Sequence, residues 1–480
     1  MSKMPARSFF ANRKVEPALA RMAKSLLRLL PDGSFAEHER KVLEMTNEIG
    51  RLALEEALQS VADSFPERVA VDGRTFKEHE AAEVTYHGLS GPLRVRRSTY
   101  RECGVHNGPT IVPTELVAGI SERATPALAF NILHGYAQHD SRLHCEMMQA
   151  AERIPPSRAT LERMAQQIGG KAVEQAPVIE RVLRRHEKPP EDACGIVVGL
   201  DRTSVPMMEE ADPQAPQRKP KERRKPRIRR APKPFEIKWR MAYVATVSFV
   251  NEYGESLKTY RYAAPACDDP RPLVDKMMAD VAIAVRQNPV LAVGIVQDGA
   301  PEMWSRVREG MQSLKQRGSL DRWHEAIDRF HLLEHLGAAL EAAEKDSGAR
   351  RSLLKEWNSQ LDKRSGAIDD IEAFLQERLA VMRDTPAGNQ LSEHLGYVTN
   401  NKDRMRYVKL RNAGLPVGSG VTESAAKTVI GQRAKGSGQR WRERGLRNAL
   451  TLRALHQSGR LPKFWTQLSR CYVANVREAA

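Results

Sequence analysis

The chain has 480 residues, more than one hydrophobic core ordinarily spans, so two or three domains are expected. Its 76 Lys and Arg against 60 Asp and Glu give a net charge of +16 and an isoelectric point near 9.7, which points to a polyanionic partner, nucleic acid above all. No apolar run approaches the roughly 20 residues that cross a bilayer, and the stretch around Lys3, Arg7, Arg13 and Lys14 lacks the apolar segment of a signal peptide. No membrane partner and a cytoplasmic location are therefore expected.

In chain order, Val15 to about Ser60 carries apolar residues at helical spacing and opens the chain with helix. Alternation at Val84, Tyr86, Leu93 and Val95 across Gly88–Gly91 reads as a β-hairpin, with Arg94, Arg96 and Arg97 on a face that is solvated or touches DNA. Helical spacing returns from Pro126 to about Gly170, broken at Ile154-Pro155-Pro156-Ser157. This has the form of a helix-turn-helix whose second helix, Ser157 to Ile168, carries Arg158, Thr160, Arg163, Gln166 and Gln167 for a major groove or for plain solvent. Lys188-Pro189-Pro190 marks a linker, so residues 1–190 form a mostly helical N-terminal DNA-binding region. The cysteines, among them Cys103, Cys145 and Cys471, form no Cys-x-x-Cys pair and are expected to be reduced.

From Cys194 the pattern changes. Ile196 to Leu200 is an unbroken apolar run ending in Asp201, as expected of a buried strand with an acid at its carboxyl end. In residues 217–234 ten of eighteen residues are Lys or Arg and four are Pro, so this stretch cannot bury a core and is expected to be a flexible basic loop, solvated or clamping DNA. Met241–Val250 and Ser256–Tyr262 make a hairpin, Leu273–Arg286 a helix, and Val290–Val296 a second buried strand ending in Gln297-Asp298-Gly299. Residues 191–330 thus read as the first part of an α/β core, 331–411 as a helical insertion, and 412–480 as its C-terminal part. There the Gly418-Ser419-Gly420 turn precedes a helix with Glu423 in its first turn, followed by Lys427, Arg433, Lys435, Arg440 and Trp441. Near the end Leu446 to Leu461 reads as a basic helix against which Phe464 and Trp465 can pack.

Carboxyl ends of strands in an open α/β sheet are where active-site groups gather, so Asp201, Asp298 and Glu423 can converge. Three carboxylates repel one another, and hard divalent cations, Mg²⁺ or Mn²⁺, resolve that repulsion. Two such ions activate water or a 3′-hydroxyl for in-line attack on a phosphodiester. Taken singly, each acid also fits a plain role in a turn or at a helix start.

Gly199-Leu-Asp201, Gln297-Asp298-Gly299-Ala300, Asp328-Arg-Phe-His331, Met405-Arg-Tyr407 and Gly414 through Gly420 with Glu423, Arg433-Ala-Lys435, Gly438 and Trp441 together resemble the DDE transposases of bacterial insertion sequences, most closely the ISKra-type group. The resemblance covers the half from Cys194 onward well and the N-terminal half loosely. It implies an RNase H-like α/β catalytic core with an α-helical insertion before the glutamate, and cleavage and strand transfer at element ends. It also implies two Mg²⁺ or Mn²⁺ ions bridged by Asp201 and completed by Asp298 and Glu423, with His331 beside the scissile phosphate. Lys427, Arg433, Lys435 and Arg440 would hold the strand, and Trp441 would stack on a base or be buried. The implied partners are double-stranded DNA with terminal inverted repeats, target DNA and further copies of the chain. Some relatives carry paired cysteines after the hairpin, where only Cys103 stands here. Two other readings compete: a transposase-derived DNA-binding regulator without catalysis, and, from His331-Leu-Leu-Glu334-His335, an inverted zinc-protease motif.

Overall fold

The computed structural model describes residues 34–211, 235–265 and 269–479, with isolated positions 17, 20, 21 and 24. The basic stretch 217–234 and most of the helical opening before residue 34 lie outside the described residues. The chain divides into two units, Met1–Glu180 with Leu461–Ala480, and Arg181–Arg460. The break falls before the Lys188–Pro190 linker, and residues 461–480 group with the N-terminal region instead of the core. The cause is strand pairing that no local pattern signals: Val69, Ala70 and Val71 pair with Glu478, Arg477 and Val476.

Among the described residues of the first unit, β1 (Arg68–Val71), β2 (Arg74–Gly88), β3 (Gly91–Glu102), β4 (Thr110–Ile111) and β10 (Val476–Glu478) form an antiparallel sheet in the order β10-β1-β2-β3-β4. The expected hairpin is therefore the centre of a five-stranded sheet. Its inward Tyr86, Leu93 and Val95 pack with Leu58 of the Phe35–Asp63 helix, which starts in a Ser34–Glu37 capping box. The hairpin charges are matched across the strands at Glu83 and Arg96. Helices Pro126–Gln138, Ser141–Ala150 and Arg158–His186 follow. The last runs 29 residues, past Gly169-Gly170 and Pro177, where the sequence suggests an end near residue 170. The expected Leu446–Leu461 helix is observed as Glu443–Gln457, and a further short helix, Leu461–Leu468, follows, whose Trp465 meets Phe130 at 6.1 Å between ring centres.

The second unit is built on β5 (Gly195–Glu210), β6 (Phe235–Val250), β7 (Ser256–Ala264), β8 (Ala292–Gln297) and β9 (His324–Ile327), in the order β7-β6-β5-β8-β9. β6 runs antiparallel to both of its neighbours, β5 and β7, whereas β8 and β9 run parallel to β5. Helix Arg271–Gln287 joins β7 to β8 and Pro301–Gln316 joins β8 to β9, and their Met277, Val281, Trp304 and Val307 are buried in one core with Ile196, Val198 and Ile295. The expected helical insertion, residues 331–411, is almost all helical, in helices that include Arg329–Ala343, Ser347–Lys363, Ala367–Val381 and Pro386–Asn401. Among the described residues no helix is long and apolar enough to cross a membrane.

Candidate active site

β5 does not stop at Asp201. It runs on to Glu210, paired with β6 throughout, while its parallel pairing with β8 ends at Val198 and Ile295. The apolar run marks only the first buried stretch, Gly195–Leu200; Asp201 opens a less buried stretch before Val205–Met207 are buried again. Asp201 sits where the sheet loses its parallel neighbour, and the register continued from Val198–Ile295 brings it level with Asp298, 97 residues further along in both cases (295 − 198 and 298 − 201). Gln297 ties the two strands, its Oε1 accepting from the Leu200 N–H at 3.3 Å. Asp298 leaves β8 in a turn: its Oδ1 accepts from the Ala300 N–H at 3.1 Å, and Pro301 then opens the next helix.

Glycines in the strands seat the third acid. Leu415 lies directly on Gly195 and Gly294, where added Cβ atoms would come within 2.7 and 2.9 Å of its methyl carbons. Thr422 lies on Gly199, where a Cβ would collide with it, and its hydroxyl meets that of Thr246 on β6 at 2.7 Å. The Gly420–Ala425 helix is thereby pressed onto the sheet with Glu423 in its first turn, and a π-helical turn, Ala426–Gly431, follows. Neither Gly418 nor Gly420 has a positive φ, whereas Gly414 does, at φ 69. Gly418 instead lies against the Asp328 carboxylate, which accepts from the Ser419 N–H and, at 3.0 Å, from the His331 N–H. Buried Asp328 thus caps the Arg329–Ala343 helix and pins the glutamate turn with one carboxylate.

Asp201, Asp298, Glu423 and His331 line one open cleft of about 440 Å³, together with Thr203, Gln297, Ser419, Lys427 and Lys435. Burial raises the Asp201 pKa, the Arg202 N–H works against that, and the charges of Asp298 and Glu423 raise it further. Burial works against a charged His331, yet the hydrogen bond its Nδ1 donates to Glu334 and the charges of Asp328 and Glu423 outweigh it and raise the His331 pKa. Its Nδ1 meets Glu334 at 3.0 Å and its Nε2 meets Glu423 at 3.4 Å. Among the described residues, Asp328, His331 and Glu423 bring ligand atoms within 4.8 Å of one another.

The basic trail divides. Lys427 and Lys435 are exposed on the cleft, Lys427 at 3.8 Å from Glu423 and Lys435 bonded to the Thr203 hydroxyl. Arg440 is exposed. Arg433 is 2% exposed, its guanidinium 4.8 Å from the Trp441 ring centre, so it cannot reach a phosphate backbone. Trp441 is half-buried: its indole donates to Ala434 O at 3.1 Å and its backbone bonds Pro206 and Met208 of β5, which makes it a clip on that strand. His335 turns from the cleft, stacking on Tyr397 at 3.7 Å and meeting His394 at 3.0 Å, so the zinc-protease pattern does not assemble. Arg158 and Arg163, on the first unit, are exposed and bonded to Ser141 and Gln167.

Sequence reasoning left Gln297 unassigned. It is 1% exposed, and its Nε2 has no partner although it lines the cleft. A buried glutamine closing a strand, next to the acid, was the available signal. Comparison with protein-family models and with curated proteins gave no match.

Proposed function

We propose that the chain is a DDE-type transposase that cleaves DNA at element ends and joins it to target DNA, with an RNase H-like core as its catalytic frame. The observation that carries the reading is the shared cleft of Asp201, Asp298 and Glu423, floored by β5 and β8 and edged by Lys427 and Lys435. A sheet of three antiparallel and two parallel strands with a helical segment before the glutamate is compatible with that frame, and the net charge of +16 with DNA as substrate. The π-helical turn directly after the glutamate helix is a distortion frequently found at functional sites.

The donor set fits divalent cations, because the oxygen-donor carboxylates of Asp201, Asp298 and Glu423 line one cleft, and burial first, then the charges of Asp298 and Glu423, raise the Asp201 pKa. Asp201, Asp298 and Glu423 would hold Mg²⁺ or Mn²⁺, which when bound supply activation of water or a 3′-hydroxyl and stabilisation of the leaving oxygen. Lys427 and Lys435 grip the strand to be cut, and exposed Arg440 extends that contact. His331, held by Glu334 and favoured in its charged form, restrains Glu423 and keeps a proton at the edge of the cleft. The Gln297 Nε2, lacking a protein partner, donates to an oxygen of the bound strand. Arg158 and Arg163 contribute to end recognition by the N-terminal unit, and several copies of the chain act together on paired ends.

The test is Mg²⁺-dependent breakage and strand transfer on a plasmid bearing the DNA that borders the gene, wild type against Glu423→Gln. Specific breaks lost in the variant sustain the proposal. Binding without breaks in either protein would leave the non-catalytic regulator as the better reading.

A further inference from the structure

The parallel strands have a second concavity at their other ends. β5, β8 and β9 begin at Gly195, Ala292 and His324, and around these starts lies an open groove of about 1570 Å³. Arg286, Arg322, His324 and Lys409 line it, Val285 and Leu291 contribute apolar surface, and Asp321 is its one acidic lining residue. Arg286, Arg322 and Lys409 are exposed, and among the described residues their side chains make no ion pair or hydrogen bond. Elsewhere in this unit arginines are matched to acids: Arg406 to Asp369, Arg411 to Asp362, Arg308 to Glu325. Arg322 and Lys409 lie close enough to His324 that, after burial, their charges depress its pKa.

Unmatched cations around a concavity repel one another until an anion enters. The groove exceeds the roughly 300–1,000 Å³ of ordinary small-molecule sites, so a lone phosphate or a nucleotide leaves most of it empty. β9 is the edge strand of the sheet and its first residue, His324, lines the groove, so an acidic peptide added by backbone pairing is the outcome the experiment must separate from DNA. Long, unpaired side chains suit phosphates, which accept charge without fixed geometry. We infer that this groove is a second nucleic-acid contact that takes the phosphodiester backbone of DNA at the opposite ends of the strands from the carboxylate cleft. From Ala292 to Asp298 the strand rises roughly 20 Å at about 3.3 Å per residue, so the groove holds a separate DNA segment from the one under cleavage. The inference rests on the DNA reading of the cleft for the identity of the polyanion.

The full chain is titrated with salt while bound to a short labelled DNA duplex of arbitrary sequence. In Arg286→Gln/Arg322→Gln/Lys409→Gln the slope of log affinity against log salt shrinks by about 2–3, at roughly 0.9 per phosphate lost, and affinity near physiological salt falls about tenfold or more. Arg322→Gln alone shrinks the slope by about 1. Cleavage at saturating protein stays at the wild-type level, which separates this outcome from a failure of the cleft. A wild-type slope and affinity in the triple variant overturn the inference. So does competition by poly-glutamate in the wild-type chain alone with DNA binding equal in both, which would make the groove a protein-recognition surface. If the wild-type chain binds no DNA, the functional reading and the inference fall together, whereas DNA binding that depends on the groove without any cleavage leaves the inference standing and removes only the transposase reading.

Discussion

Two charged clusters in the second unit have opposite designs. Asp280 and Glu187 are buried with Arg184 and Arg460: Arg184 reaches Asp280 at 3.0 Å, Arg460 reaches it at 2.9 Å and also bonds Glu187, and the Tyr262 hydroxyl completes the set. Two acids meet two guanidinium groups, and nothing is left for a ligand. The Asp201, Asp298 and Glu423 cluster instead lines an open cleft, where burial and the charges of the other two acids raise the Asp201 pKa. Balanced charge in the interior holds elements together, whereas acids lining an open cleft can take up a ligand, which in the proposed reading is a metal ion.

Breaking each cluster should therefore damage different properties. Glu423→Gln lowers cleavage at least about a thousandfold in a plasmid assay while the urea midpoint stays at the wild-type value. Asp280→Ala leaves two buried guanidinium groups short of an acid and costs about 3–5 kcal/mol, read as a lower midpoint in urea unfolding. Gly199→Ala drives a methyl group into Thr422, costs about 1–3 kcal/mol and lowers cleavage by shifting Glu423; Thr422→Ala added to the same chain recovers part of both.

The smallest effect is a pH dependence. Asp201 has a folded pKa raised above its unfolded value, so its contribution to stability is present below the ordinary aspartate value near 3.9 and is lost as pH rises through the folded pKa. His331, also raised, contributes stability below about 6.5 that is lost as pH rises through its folded pKa. Asp201→Asn consequently melts above wild type at pH near 8, with the gain shrinking as acid is added. Mg²⁺ raises the melting temperature of the wild type and narrows the gap. A melting curve for Asp201→Asn that lies below wild type at every pH would mean that the cluster is structural after all.

Much of the second unit was legible. Ile196–Leu200, Val293–Val296 and the helical run from residue 329 to residue 412 follow apolar periods that operate over a few residues, and Glu423 in a first helical turn follows from the chain around it. The fates of the basic residues were not legible. Arg433 and Lys435 look alike in sequence, yet one is buried against Trp441 and the other opens on the cleft, because helix rotation against β5 decides which face is inside. Asp328 reads as a helix cap from local spacing; its second bond, to Ser419, is made across 91 residues.

By itself the sequence determined where strands and helices form, which acids stand near their ends and that the chain carries a large positive charge. These depend on local periodicity and composition. Only the tertiary structure decided that Asp201 sits within a longer strand at the register of Asp298, that Gly195, Gly199 and Gly294 make the floor for Leu415 and Thr422, and that residues 476–478 join the first sheet. Such features arise from strand register and close backbone approach between distant segments, and no window of neighbouring residues encodes them.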